Sequence, residues 1–128
     1  MQHPTGLFPR SAPRPSTSHA EQALHRALAT GLPDGWTAWH SLRVRTAHGM
    51  EGEGDFVLAI PDRGALVIEV KGGSVEARDG QWLQNGRRME RSPREQAQSY
   101  VRRLKAKLEE TLAGATPWIS IATAFPET

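Results

Sequence analysis

The sequence predicts an α/β domain, a mixed central sheet flanked by helices, and three observations carry that expectation. Residues 55–60 and 65–71 are two apolar, β-branched runs joined by Pro61-Asp62-Arg63-Gly64, which reads as a β-hairpin. Two segments of helical period start at Ser18 and Ser92 behind clear capping signals. Residues 118–125 form a nearly continuous apolar strand, suited to a sheet covered on both faces. At 128 residues, 38% hydrophobic and 23% charged, the chain fits one domain with a modest core.

Taken in order, residues 1–17 are rich in proline and polar residues without periodicity, and are expected to be a disordered leader to a domain over 18–128. Ser18-His19-Ala20-Glu21 forms a capping box, and Ala20, Ala23, Leu24, Ala27 and Leu28 recur at helical spacing, so one helix is expected over 18–30. Glu21 has two readings here, a backbone cap or a carboxylate placed near a metal site. After the turn at 32–35, residues 36–44 alternate as a first strand, with Trp36, Ala38, His40, Leu42 and Val44 on one apolar face. His40 reads as a hydrogen-bonded core or edge residue in preference to a ligand.

The glycine-rich, acidic stretch 49–54 reads as a flexible approach to Asp55, with Glu51 and Glu53 solvated. After the hairpin, strand-like pieces alternate with Asp79-Gly80 and Asn85-Gly86 turns, which gives a small β meander. Trp82 within it is a lid over core or a platform for a base. Ser92-Pro93-Arg94-Glu95 is the clearest helix start, and the helix runs to about residue 111 with Ala97, Tyr100, Val101, Leu104, Leu108 and Leu112 as its apolar stripe. The abrupt finish at 125–128 suggests either a fragment or the first domain of something longer.

Composition narrows the chemistry. Cysteine is absent, which excludes disulfides, thiolate metal sites and a Cys nucleophile but leaves oxygen-ligand metal sites open. No membrane span or signal peptide is visible, so a cytoplasmic location is expected. The formal charge is only +2, yet residues 87–107 carry +6 and the remainder −4, an asymmetry that suits a polyanion. Arg94, Arg102, Arg103, Lys105 and Lys107 lie largely off the apolar stripe, either as a solvated face or as phosphate contacts.

The hairpin holds the chemistry. Glu69 and Lys71 share a strand face, and folding about the turn brings Asp55 towards them. Charges so placed are costly to bury unless they are paired or bind metal. Two carboxylates suit Mg²⁺, with Mn²⁺ as an alternative; the plainer reading is a wet ion pair contributing little.

Glu21, Gly54-Asp55-Phe56, Glu69-Val70-Lys71-Gly72-Gly73, Trp82 with Asn85-Gly86-Arg87, Ser92-Pro93 with Gln96-Ala97, and Phe125-Pro126 together resemble the nuclease-related domain (NERD) family. That family is similar to the restriction-endonuclease-like PD-(D/E)xK phosphodiesterases. The resemblance implies a restriction-endonuclease-like sheet with the acidic hairpin at its heart, and Mg²⁺-dependent cleavage of nucleic acid, DNA first. It implies Asp55 and Glu69 as metal ligands, Lys71 as the residue that orients water and stabilises phosphate charge, and Glu21 as the helix carboxylate beside them. Gln96 and Tyr100 match the Gln-x-x-x-Tyr element of helicase-associated exonucleases. Glu53-Gly54 stands where the superfamily's proline would be. Fused or associated helicase, kinase or topoisomerase-type domains are implied as partners. The competing functions are a catalytically silent nucleic-acid-binding module and a purely structural interaction domain.

Overall fold

The structure, a computed structural model, describes residues 5–9, 18–112 and 116–128. The expected hairpin forms from β3 (Glu51–Ile60) and β4 (Gly64–Val70), antiparallel with Phe56 opposite Ile68. Its turn closes with the Arg63 N–H donating to the Ile60 carbonyl at 3.1 Å, while Asp62 takes a left-handed φ of 62°. β2 (Thr37–Arg45) pairs antiparallel with β3, and β8 (Ile119–Ala124) pairs parallel with β4. With β1 (Gly6–Phe8) parallel to β2, the order is β1-β2-β3-β4-β8, a mixed five-stranded sheet of the restriction-endonuclease-like kind.

Strand alternation sends successive side chains to opposite faces, and each face has its helix. Phe56, Leu58, Ile68 and Val70 pack with Ala20 and Leu24 of α1 (His19–Gly31). Val57 and Val67 pack with Tyr100 and Leu104 of α2 (Pro93–Leu112). Ser18 caps α1, its hydroxyl accepting from the Glu21 N–H at 3.2 Å. The meander is a separate three-stranded sheet of β5 (Val75–Arg78), β6 (Gln81–Gln84) and β7 (Arg87–Arg88). Asp79-Gly80 and Asn85-Gly86 both have positive φ at each residue, as the tight mirror-image hairpin turn requires. Trp82 stacks on Phe125 with ring centroids 6.0 Å apart, so it serves as a lid.

Four expectations are corrected. The leader is not wholly without structure, since Gly6–Phe8 forms β1 and the Gly6 N–H donates to the Trp36 carbonyl at 3.0 Å; residues 1–4 and 10–17 lie outside the described set. The stretch before Asp55 is not a loop, because β3 already begins at Glu51. Its glycines serve close approach: a Cβ on Gly54 would lie 2.5 Å from the Tyr100 ring, and one on Gly52 would lie 2.7 Å from the Arg103 side chain. The last strand lies in a sheet covered on both faces, Ala122 and Ala124 packing towards α1 and Ile119 towards α2, but it is not itself deeply buried: β8 is the outermost strand, its residues only partly buried or exposed, with Trp118 77% exposed beside it. Leu112, counted in the α2 stripe, is 45% exposed at the helix end.

The fifth difference bears on the site. The apolar residues of β2 do not share one face: Ala38 packs towards α1, whereas Leu42 and Val44 join Trp39 towards α2. Ser41, with a left-handed φ of 58°, reverses the alternation between them. On β3 the same reversal occurs, Gly54 lying under Tyr100 and Phe56 facing α1. The flanking pairs His40 with Phe56 and Leu42 with Gly54 place both reversals at the level of Asp55. Local irregularity of this kind re-aims side chains beside functional sites. Among the described residues no helix is long and apolar enough to cross a membrane.

Candidate functional site

Backbone register assembles the acidic centre. Asp55 precedes the Phe56–Ile68 pair and Glu69 follows it, so the two carboxylates face each other across adjacent strands. Asp55 is anchored where it stands, its Oδ2 accepting the Val70 N–H at 2.8 Å. Lys71 sits just past β4, its N–H held by the Ala124 carbonyl at 3.0 Å and its Nζ 3.4 Å from Glu69 Oε1. The Glu69 side chain is only 12% exposed. From the facing helix comes Glu21, near enough for its charge to act on Asp55 and Glu69. Oε1 accepts from the Ser18 hydroxyl at 3.2 Å within the capping box, while Oε2 lies 2.9 Å from His40 Nε2.

The electrostatics follow from this crowding. Burial pushes Glu69 up from 4.5 to about 7, the charges of Asp55 and Glu21 add to the rise, and Lys71 opposes it. Asp55 is raised as well, chiefly by burial and further by Glu21, against the Val70 hydrogen bond and Lys71. One ammonium therefore does not compensate the carboxylates around it. A hard dication takes oxygen donors of this type. Among the described residues, no group of three or more His, Asp or Glu is arranged to close around a metal ion, so Asp55 and Glu69 would hold one together with water or substrate oxygens.

Glu69 opens onto a cleft of about 230 Å³ walled by Gly52, Glu53, Arg91, Gln96, Tyr100 and Arg103. Gln96 reaches it from the first turn of α2, its Nε2 donating to the Arg91 carbonyl at 3.0 Å. Tyr100 contributes a buried ring whose hydroxyl donates to the Leu42 carbonyl at 3.0 Å; burial, reinforced by Glu53, pushes that hydroxyl up to about 12. Tyr100→Phe should cost about 1–2 kcal/mol of stability in a denaturation titration, because the part-buried bond from its hydroxyl to the Leu42 carbonyl would be lost. Glu53 is exposed, as expected, yet engaged: Ser41 Oγ donates to it at 2.6 Å and Arg43 Nε at 2.7 Å, which lowers it below the usual range. A larger cleft, about 450 Å³, runs between residues 43–45 and 51–53, but Asp55, Glu69 and Lys71 do not line it.

The basic residues of α2 do not form one surface. Arg103 belongs to the cleft beside Glu69 and donates to the Ser99 carbonyl at 2.8 Å. Lys105 lies on the other flank, beside Trp118 and Ile119. Lys107 is 4.0 Å from Glu110, and Arg94 and Arg102 are exposed. Sequence reading missed Arg91, which the turn before Ser92 carries into the cleft, and missed the contact of His40 with Glu21. Arg91 sits in the basic run and nothing in its spacing distinguishes it. His40 was legible, being a polar residue on an apolar strand face.

A family model described as nuclease-related domain matches residues 16–125, which spans the acidic hairpin, the meander and both helices but not β1. No curated protein and no solved structure gives a match. The matched family is of the PD-(D/E)xK kind, and the mixed sheet with its helices is consistent with a restriction-endonuclease-like fold. On the extent of that match, the chain belongs to the nuclease-related domain family.

Proposed function

We propose that this chain is a metal-dependent nuclease that hydrolyses phosphodiester bonds, with Asp55 and Glu69 as ligands of Mg²⁺ or Mn²⁺ and DNA as the first substrate to test. The observation that carries the reading is the half-buried acidic pair, under-compensated by Lys71, beside a cleft that also bears Arg91, Gln96 and Arg103. When bound, the dication supplies charge neutralisation at phosphate oxygens and acidifies water.

The protein's own groups do the rest. Lys71, fixed by strand pairing on one side and by Glu69 on the other, presents an ammonium where negative charge develops on phosphate. Arg91 and Arg103 give the cleft cationic walls for the flanking phosphates, and binding through them should weaken as salt rises. Glu21 adds charge without being a ligand in this reading. Company with a helicase, kinase or topoisomerase-type domain rests on the family likeness, and action in the cytoplasm on the sequence's lack of a visible signal peptide or membrane span.

Lys71→Ala tests the role of this chain's own cation. Cleavage of linear DNA with Mg²⁺ should fall by about two orders of magnitude, the scale of losing one transition-state charge partner, while Mg²⁺ affinity is kept or improved. Unchanged cleavage by the variant would remove Lys71 from the mechanism. DNA binding without cutting by the wild type, under any divalent metal, would favour the silent binding module.

A further inference from the structure

Two histidines, His25 on α1 and His40 on β2, are packed between that helix and the sheet. His40 on β2 is 1% exposed; its ring stacks on Phe56 with centroids 4.8 Å apart and meets His25 edge-on at 5.9 Å. His40 Nε2 lies 2.9 Å from Glu21 Oε2. A carboxylate accepts, so His40 carries its proton on Nε2. His25, also buried, points its Nε2 at the Pro9 carbonyl at 2.8 Å, and the same logic makes that nitrogen the donor.

The consequence for Glu21 is that both of its oxygens are held. Oε1 takes the Ser18 hydroxyl at the helix cap and Oε2 takes His40. The carboxylate that acts on Asp55 and Glu69 is thus clamped from two elements, a helix start and a strand. An apolar ring would fill the space between Phe56 and His25 without the cost of burying a polar nitrogen, and that cost is met through the bond to Glu21.

We propose that His40 is a positioning residue, which donates its Nε2 proton to Glu21 and thereby fixes the Glu21 carboxylate beside Asp55 and Glu69. For its effect on catalysis the inference rests on the nuclease reading; the contact itself does not. In that reading Glu21 is the outer carboxylate beside the two ligands; loss of an outer partner typically costs about 10–100-fold in metal affinity or activity, and His40, which acts through Glu21, should fall at the low end of that range.

The test compares wild type, His40→Phe, His40→Gln, Glu21→Gln and the His40→Phe/Glu21→Gln double variant. His40→Phe keeps the ring stack and removes the donor. It should lower kcat on DNA and Mn²⁺ affinity, read by electron paramagnetic resonance, each by about tenfold or more, with KM for DNA unchanged. His40→Gln, which can donate through its amide, should recover most of both, and adding His40→Phe to Glu21→Gln should change nothing further. Wild-type cutting and Mn²⁺ binding in a folded His40→Phe, or full additivity in the double variant, would overturn the proposal.

A metal-free arm reads the imidazole nitrogens by ¹⁵N NMR. His40 should be the Nε2–H tautomer and should shift in Glu21→Gln; an Nδ1–H tautomer overturns the proposal whatever the activity. A wild type that binds no Mn²⁺ and cuts nothing overturns the nuclease reading instead, and the tautomer with its response to Glu21→Gln then decides the contact by itself.

Discussion

Glu69→Gln should make the protein more stable at pH 8 and at the same time abolish metal-dependent cleavage. Glu69 ionises at 4.5 when exposed and at about 7 in the fold. Between those values the folded state binds more protons than the unfolded one, so stability falls as pH rises. The Glu69 contribution is therefore fullest below pH 4.5 and is lost as pH passes through 7. A shift of this size corresponds to about 3 kcal/mol. Lys71, 3.4 Å from Glu69, loses its partner in the variant and takes back part of that, leaving a net gain of about 1–2 kcal/mol at pH 8 and little gain near pH 4. Denaturant titrations of both proteins across pH 4–8 measure it. Wild type should lose more stability with rising pH than Glu69→Gln does, and Mg²⁺ should raise the midpoint of the wild type alone. Parallel pH profiles would mean that Glu69 is not under electrostatic pressure.

The largest purely structural effect is expected at Gly64, where the hairpin turn meets the last strand. Its φ is +115°, and a Cβ there would lie 2.1 Å from the Trp118 carbonyl oxygen. That oxygen is already fixed by the Ala65 N–H at 2.8 Å, so neither partner is a side chain that could swing away. Gly64→Ala must strain its own backbone or part β4 from β8. A loss of about 3 kcal/mol or more, roughly 10 °C or more in Tm, should follow, with amide exchange quickening first along Ile119–Ala124. Gly80→Ala is the control: its φ is +77° but nothing lies within 4 Å of a Cβ, so only the dihedral cost of about 1 kcal/mol applies. Equal losses at the two positions would place the cost in backbone conformation alone.

These two glycines mark where sequence reading succeeds and where it stops. The 61–64 turn, the two Asx-Gly turns and the Ser92-Pro93 helix start are local chemistry, and each appears where its residues put it. Asp55, Glu69 and Lys71 were legible for the same reason, since strand parity and a short turn determine their neighbourhood. Gly52 and Gly54 were misread as flexible because nothing local says that the Tyr100 ring and Arg103 will press on them from a helix more than forty residues away. The partial exposure of β8 was not legible because an apolar run does not reveal whether a further strand will flank it. The scattered cations of α2 show a related limit: helical angle separates them from the apolar stripe, but which flank adjoins the acidic strands is decided by docking. Glu21 offered a cap and a site carboxylate as alternatives; one of its oxygens meets the Ser18 hydroxyl at the helix start and the other meets His40, while its charge reaches Asp55 and Glu69.

The central claim is that Asp55 and Glu69 act together on phosphodiesters with a divalent metal. It is tested most directly by incubating wild type, Asp55→Asn and Glu69→Gln with single- and double-stranded DNA and RNA in Mg²⁺, Mn²⁺ or EDTA. Cutting by the wild type that requires metal, stops with EDTA and is lost in both variants is the expected result. Cutting that survives in either variant, or a folded wild type that cuts no nucleic acid under either metal, would contradict it.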